Sequence, residues 1–172
     1  MQGTNKEFPH VETFLNLVDK IGENFNLNIP PIVEIEKLLS LPPNTLGRTL
    51  AEFLQSHQLK PLITGPRRKQ LHDSVHVLTG YHVDPIGEAE VQAFLLGSKL
   101  HIFHIILGLG LLGMIAKQVT KAGINQSPYQ IWQRLYRAYH RGNKAQFDID
   151  TWQPELQWNL PLTAVRSQFN IS

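Results

Sequence analysis

The stretch QLHDSVHVLTGYHVDPIGEAE, Gln70 to Glu90, carries His72 and His76 four residues apart, Asp73 beside the first, and Glu88 twelve residues beyond the second. Read as helix at about 100° per residue, with His72 at 0°, Asp73 falls near 100° and His76 near 40°. All three then project from one arc on the last turns of a helix that starts at TGP, Thr64 to Pro66, and stops at Gly80. Asp84 caps a second helix with Pro85 at its first position. The short turn between them predicts antiparallel neighbours, with Glu88 one turn into the second helix and facing His76. Two imidazoles and one or two carboxylates converging from adjacent helices suit a zinc ion with an open position for water or substrate.

Moving outward, the apolar spacing stays helical almost throughout. Val11, Phe14, Leu15, Leu17 and Val18 form one stripe, and Ile32, Ile35, Leu38 and Leu39 a second, closed by Pro42 and Pro43. Asn44 or Thr45 caps a helix carrying Leu46, Leu50, Phe53 and Leu54 on one side. SPYQIWQRLYRAYHRG predicts another, with Ser127 as cap, Pro128 in the first turn and Gly142 as terminator. No alternating strand pattern competes. The expected fold is all-α, a single-domain helical bundle over residues 1–172 with the antiparallel hairpin carrying the metal motif.

Composition narrows the chemistry. With 172 residues, 42% of them hydrophobic and 17% charged, the chain is long enough for a sizeable core. A net charge of +2 gives no general attraction to nucleic acid. There is no cysteine, so a metal must be held by His, Asp or Glu. That donor set suits zinc first, with magnesium or iron as the other candidates. The opening MQGTNKEFPHVE has neither the apolar run of a signal peptide nor the Arg-rich character of a transit peptide. The expectation is a prokaryotic, cytoplasmic chain that meets membranes only peripherally.

HDSVHVLTGYHVDPIGE resembles the His-Asp-x-x-His-(eleven residues)-Glu motif of the coenzyme Q (ubiquinone) biosynthesis protein four family. PPNTLGRTLAEFL resembles the segment before that motif, and RGNKAQFDIDTWQPELQWNLPLTAVRSQFNI the closing part with its Val-Arg pair. The resemblance implies an all-helical, membrane-associated protein with His72, Asp73, His76 and Glu88 as zinc-site residues. It further implies a role in oxidative removal of the carboxyl group from a polyprenylated hydroxybenzoate, or in organising other quinone-biosynthesis enzymes. The chain departs from the family pattern at Gln153, where an acidic residue often follows the late tryptophan, and its opening residues lead to the expectation that it lacks the mitochondrial presequence of eukaryotic members.

A polyprenylated aromatic acid needs a polar site for its head and an apolar one for its tail. Arg67 and Arg68, just before the motif, are the head-group candidates, since a guanidinium can pair bidentately with a carboxylate or phosphate. A solvated helix start explains them equally well. His82 and Asp84 in the turn are weaker candidates. For the tail, LHIFHIILGLGLLGMIA, Leu100 to Ala116, is shorter than the roughly 20 residues that span a bilayer. It reads as a buried helix, or, with Gly108, Gly110 and Gly113 removing side chains, as one wall of an apolar tunnel lined by Phe94, Leu95, Ile102, Phe103, Ile106 and Gly110.

In the helix from Pro128, Tyr129, Trp132, Tyr136 and Tyr139 fall within about 80° of one another, while Arg134, Arg137 and Arg141 lie elsewhere on the circumference. Six Lys or Arg and no acid occur between Lys117 and Phe147. Trp132, Arg134, Arg137 and Arg141 are thus candidates for a membrane or partner surface; an aromatic stripe buried as core, with a solvated basic face, is the plain alternative. The expected partners are a prenylated lipid or quinone precursor, other quinone-biosynthesis enzymes, a membrane surface and a second copy in a homodimer, and not nucleic acid. Two functions stand side by side: a metal-dependent decarboxylase of a polyprenyl hydroxybenzoate, and a non-catalytic lipid-binding scaffold. A phosphohydrolase of the His-Asp helical superfamily would need His57 and Asp148 at the same metal and fits the spacing of His76 and Glu88 poorly.

Overall fold

The computed structural model describes residues 29–99 and 127–171. Within them are seven α-helices, one short 3-10 turn and no strand: α1 Ile35–Leu39, α2 Leu46–Ser56, α3 Arg67–Gln70, α4 His72–Thr79, α5 Pro85–Ser98, α6 Pro128–Lys144, the turn Pro154–Leu156, and α7 Leu162–Gln168. The all-α expectation is met. The stripe from Val11 to Val18 and the apolar run from Leu100 to Ala116, with Ile102, Phe103, Ile106 and Gly110, lie outside the described residues.

Capping chemistry places the helix starts as the sequence predicts. Thr45 accepts from the Arg48 amide at the head of α2. Asp84 accepts from the Ile86 and Gly87 amides, with Pro85 following it. Ser127 and Gln130 form a reciprocal capping box at α6. Each device satisfies amides that a helix start leaves without partners. Two further amides of α2 are satisfied from far along the chain, Leu46 by the Leu160 carbonyl and Gly47 by the Trp158 carbonyl, both at 2.9 Å. The C-terminal segment is therefore built onto the start of α2.

The helix expected from Thr64 to Thr79 is divided. It begins at Arg67 and tightens at Leu71 (φ −89°, ψ −4°), so that α3 and α4 are separate turns of one path. Backbone bonds from Leu71 to Arg67 and from Val75 to Leu71 continue through the division. Gln70, almost wholly buried, accounts for the anchoring at this point. Its side chain accepts from the Ile32 amide and donates to the carbonyls of Ile29 and Gly65, tying the chain before α1 to α3. Gly80 then ends α4 in the left-handed region (φ +78°), which favours glycine.

A second correction concerns Gly142. It does not terminate α6, which continues to Lys144. It lies where α5 and α6 touch: a Cβ on Gly142 would sit 2.0 Å from the Phe94 carbonyl oxygen, and one on Gly97 would sit 2.1 Å from that of Tyr139. Absent side chains bring the two backbones together. Ile86 and Ala89 at the start of α5 pack with Ile131 and Leu135 at the start of α6, so the two helices run parallel.

The main core gathers Leu46, Leu50 and Leu54 of α2, Leu71 with Val75 and Leu78 of α4, and Val91, Phe94 and Leu95 of α5. Phe147, Ile149, Trp152, Val165 and Ile171 close it from the C-terminal side. α4 is thus held between α2, α5 and the closing segment, with one face left for the histidines.

Candidate metal centre

His72 and His76 are one turn apart on α4, and Glu88 is on the first turn of α5, where the Asp84 cap fixes the direction of the helix. His72 Nε2 lies 3.0 Å from Glu88 Oε2, His76 Nε2 lies 3.2 Å from Glu88 Oε1, and the two Nε2 atoms are 3.1 Å apart. One donor atom from each of the three residues falls within 4.8 Å of the others. The side chain of His76 has no exposed surface, and those of Glu88 and His72 are 12% and 17% exposed. The three therefore form a recessed cluster that opens on the His72 side. Phe53 of α2 stacks on the His76 ring, 6.0 Å between centroids and 20° between planes.

The hydrogen count at this cluster decides what it can hold. His76 Nδ1 is 3.1 Å from the Tyr81 carbonyl oxygen, which can only accept, so Nδ1 carries hydrogen. A neutral His76 then turns a lone pair from Nε2 toward the Glu88 carboxylate. Two acceptors at that distance repel unless a proton or a cation lies between them. Burial disfavours charge on His72, but the Glu88 carboxylate beside it outweighs burial, and its pKa is pushed up to about 9. Glu88 is in turn held well below the usual carboxylate range: burial opposes this, and the charge and hydrogen bonds of the two histidines override it. The contact of His76 with Glu88 still lacks a bridging cation, because the cluster's proton sits on His72. Replacing that proton with a divalent cation leaves two imidazole nitrogens and a carboxylate as ligands and an outward position open, which is the donor set of catalytic zinc sites. The residues present fit such an ion.

Asp73 does not join the converging set. It lies within electrostatic reach of His72, His76 and Glu88, and its carboxyl is pushed up by burial, with the two histidines working against this and Glu88 adding to it. Its place is beside the cluster. Asp84 is engaged as the α5 cap, and His82 is exposed.

Both head-group candidates have other partners. Arg67 donates to the Trp152 carbonyl and to Glu155, the latter at 2.6 Å. Arg68 forks onto both carboxylate oxygens of Asp150. These ion pairs fasten α3 to the C-terminal segment. Phe94 and Leu95 are packed core, Phe94 lying against Tyr81 and Phe147. No open wall is formed by these two.

The surface of α6 is arranged differently from either sequence reading. Its buried seam is Ile131, Leu135, Ala138 and Gly142. The aromatic residues flank this seam and face solvent: Tyr129, Trp132 and Tyr136 are 68%, 62% and 56% exposed. Arg134 and Arg141 turn toward the protein instead. Arg134 pairs with both oxygens of Glu90 on α5, and Arg141 donates to the Thr79 carbonyl at the end of α4. Among the four surface candidates, Trp132 and Arg137 remain exposed.

Sequence reading missed Phe53 as a neighbour of the histidines and Tyr81 as their backbone partner. A main-chain carbonyl leaves no residue signature, although the turn length between His76 and Glu88 hints that the intervening backbone comes close.

The model of the family described as coenzyme Q (ubiquinone) biosynthesis protein Coq4 matches residues 30–172. The mitochondrial ubiquinone biosynthesis protein COQ4 homologues of Rattus norvegicus and Mus musculus are each 27% identical over 154 residues, covering 81% of this chain and 55% of theirs. The chain thus spans about half the length of the curated relatives it matches. In three dimensions it superimposes with a TM-score of 0.68 on the crystal structure of a candidate ubiquinone biosynthesis protein from Nostoc punctiforme. That likeness, at 19% identity over 94% of this chain and 81% of the other, is one of fold.

Proposed function

Since the chain belongs to the Coq4 family of coenzyme Q (ubiquinone) biosynthesis proteins, we propose that it is a metal-dependent protein of quinone biosynthesis. In this reading His72, His76 and Glu88 hold a divalent ion, zinc first among the candidates, and the head of a polyprenylated aromatic acid is received at the open side of that site. The observation that carries it is the convergence of three donor atoms within 4.8 Å on a recessed face. When bound, the ion supplies Lewis-acid stabilisation of negative charge on the aromatic ring or its oxygen. The protein's own residues do the rest. Tyr81 fixes the His76 tautomer, Glu88 brings the anionic ligand, and Asp73 lends a second carboxylate from beside the cluster. A substrate carboxylate would have to compete with Glu155 and Asp150 for Arg67 and Arg68, so the head group is assigned to the ion.

The reaction this reading favours is loss of the substrate carboxyl group as carbon dioxide with a proton taking its place on the ring; an oxidative form would need molecular oxygen together with an external two-electron donor, the second oxygen atom leaving as water. Zinc-loaded protein given a polyprenylated hydroxybenzoate in air should release carbon dioxide, and Glu88→Gln should not. The second reading, a scaffold that binds a prenyl lipid and presents it to other pathway enzymes, is supported by the exposed aromatic face of α6. It expects lipid binding without turnover. No helix among the described residues is long and apolar enough to cross a membrane. Contact with a lipid surface is assigned to Tyr129, Trp132, Tyr136 and Arg137, since interfacial aromatics beside a cation suit anionic headgroups.

A further inference from the structure

The end of α4 carries more restraint than a helix of eight residues needs for its own sake. Three of its last carbonyls receive guanidinium groups from distant elements. Arg166 of α7 donates to Leu78 and Val77, at 2.9 and 3.0 Å, and Arg141 of α6 donates to Thr79 at 2.6 Å. Two cations at a helix C-terminus complement its partial negative charge. They are not equivalent. Arg141 also stands over the Tyr81 ring, 5.3 Å from its centre. Tyr81 is the residue whose carbonyl accepts from His76 Nδ1.

We propose that Arg141 is a positioning residue for the metal centre. By gripping Thr79 and Tyr81 together, it fixes the turn that follows α4 and thereby holds the Tyr81 carbonyl at His76 Nδ1. The imidazole then keeps its hydrogen on Nδ1 and turns Nε2 to Glu88 and His72. Gly80, lying between the two gripped residues with positive φ, gives the turn no side chain of its own to lock it. Among the described residues Arg166 bonds the Val77 and Leu78 carbonyls of the same helix and not Tyr81, so it serves as the internal control. The proposal deepens the metal reading of the triad and rests on it for its functional meaning.

The test uses the full chain, first metal-free and then titrated with zinc alone. In nitrogen-15 spectra of the imidazoles, the wild-type His76 should show a single Nδ1–H tautomer. Arg141→Met should add an Nε2–H population and lower zinc affinity about tenfold or more, the usual size of an outer-partner effect. Arg141→Lys, which keeps the charge but not the planar fork, should show the same change in smaller degree and serves if the methionine variant does not fold. Arg166→Gln should lower thermal stability yet leave the His76 spectrum and zinc affinity within about twofold of wild type. An unchanged tautomer in both Arg141 variants, or an equal response to Arg166→Gln, overturns the proposal. A tautomer change in a protein that binds no zinc even as wild type supports the positioning role and removes the metal reading instead.

Discussion

His76 Nε2 lies 3.2 Å from Glu88 Oε1, although a complete helix-terminating turn separates the two residues in sequence. The contact exists because Gly80 and Asp84 end one helix and start the next within five residues, leaving Glu88 on the first turn of α5. Glu88→Gln keeps the shape of the side chain and removes its charge. Zinc affinity should fall by about 100-fold, since an amide oxygen is a poorer ligand than a carboxylate and ligand loss typically exceeds the 10–100-fold of an outer partner. Isothermal titration measures it. The pKa of His72 should also drop toward its ordinary value.

Zinc binding should release a proton. The Glu88 carboxylate holds His72 protonated up to about 9 in the metal-free cluster, and a metal ligand must be neutral imidazole. Below that value an incoming ion displaces the proton, so affinity should fall about tenfold for each unit of decreasing pH. Titrations in buffers of different ionisation enthalpy would count the proton directly. The same pair sets a sign for metal-free stability. His72 is raised above its ordinary value of 6.5, so its contribution is complete below 6.5 and is lost as pH rises through about 9. Glu88 is lowered from 4.5, so its contribution is present above 4.5 and is lost in acid. The ion pair therefore stabilises the metal-free protein most between 4.5 and 6.5.

Gly142→Ala should destabilise by about 3 kcal/mol, because the new methyl group would meet the Phe94 main chain and force α5 and α6 apart. Gly80→Ala should cost roughly 1–2 kcal/mol, the usual penalty for a side chain in the left-handed region. Denaturant melts of the two variants would rank them. The larger loss at Gly142 would show that this glycine is present for helix contact.

The double change Trp132→Gln and Tyr136→Gln should reduce sedimentation with anionic vesicles at least severalfold while leaving the melting temperature within a few degrees, since surface substitutions rarely move stability. The rings are more than half exposed, so little packing is lost. Arg137→Gln should weaken binding further and flatten its salt dependence.

Much of this was legible because it rests on local rules. The caps at Thr45, Asp84 and Ser127 have short-range signatures, and the spacing of His72, His76 and Glu88 survives translation into helix geometry. What the sequence hid depends on partners far along the chain. Asp150 and Glu155 engage Arg68 and Arg67 across more than eighty residues, and nothing near the arginines announces it. On α6 the aromatic rings drew attention as the apolar feature, whereas the buried seam consists of Ile131, Leu135, Ala138 and Gly142. Two of those four are small, and their value appears only once α5 is seen to approach that closely. Gly142 looked like a terminator for the same reason: a glycine near a helix end has two physical uses, and the neighbour decides between them.

In the proposed site, two imidazoles and one carboxylate from α4 and α5 share an ion. X-ray absorption at the zinc edge of the zinc-loaded protein measures this most directly. The spectrum should show two imidazole nitrogens at about 2.0–2.1 Å with a carboxylate oxygen at about 2.0–2.2 Å, and one imidazole fewer in His72→Ala. A spectrum without imidazole scattering, or one that His72→Ala and His76→Ala both leave unchanged, would contradict it.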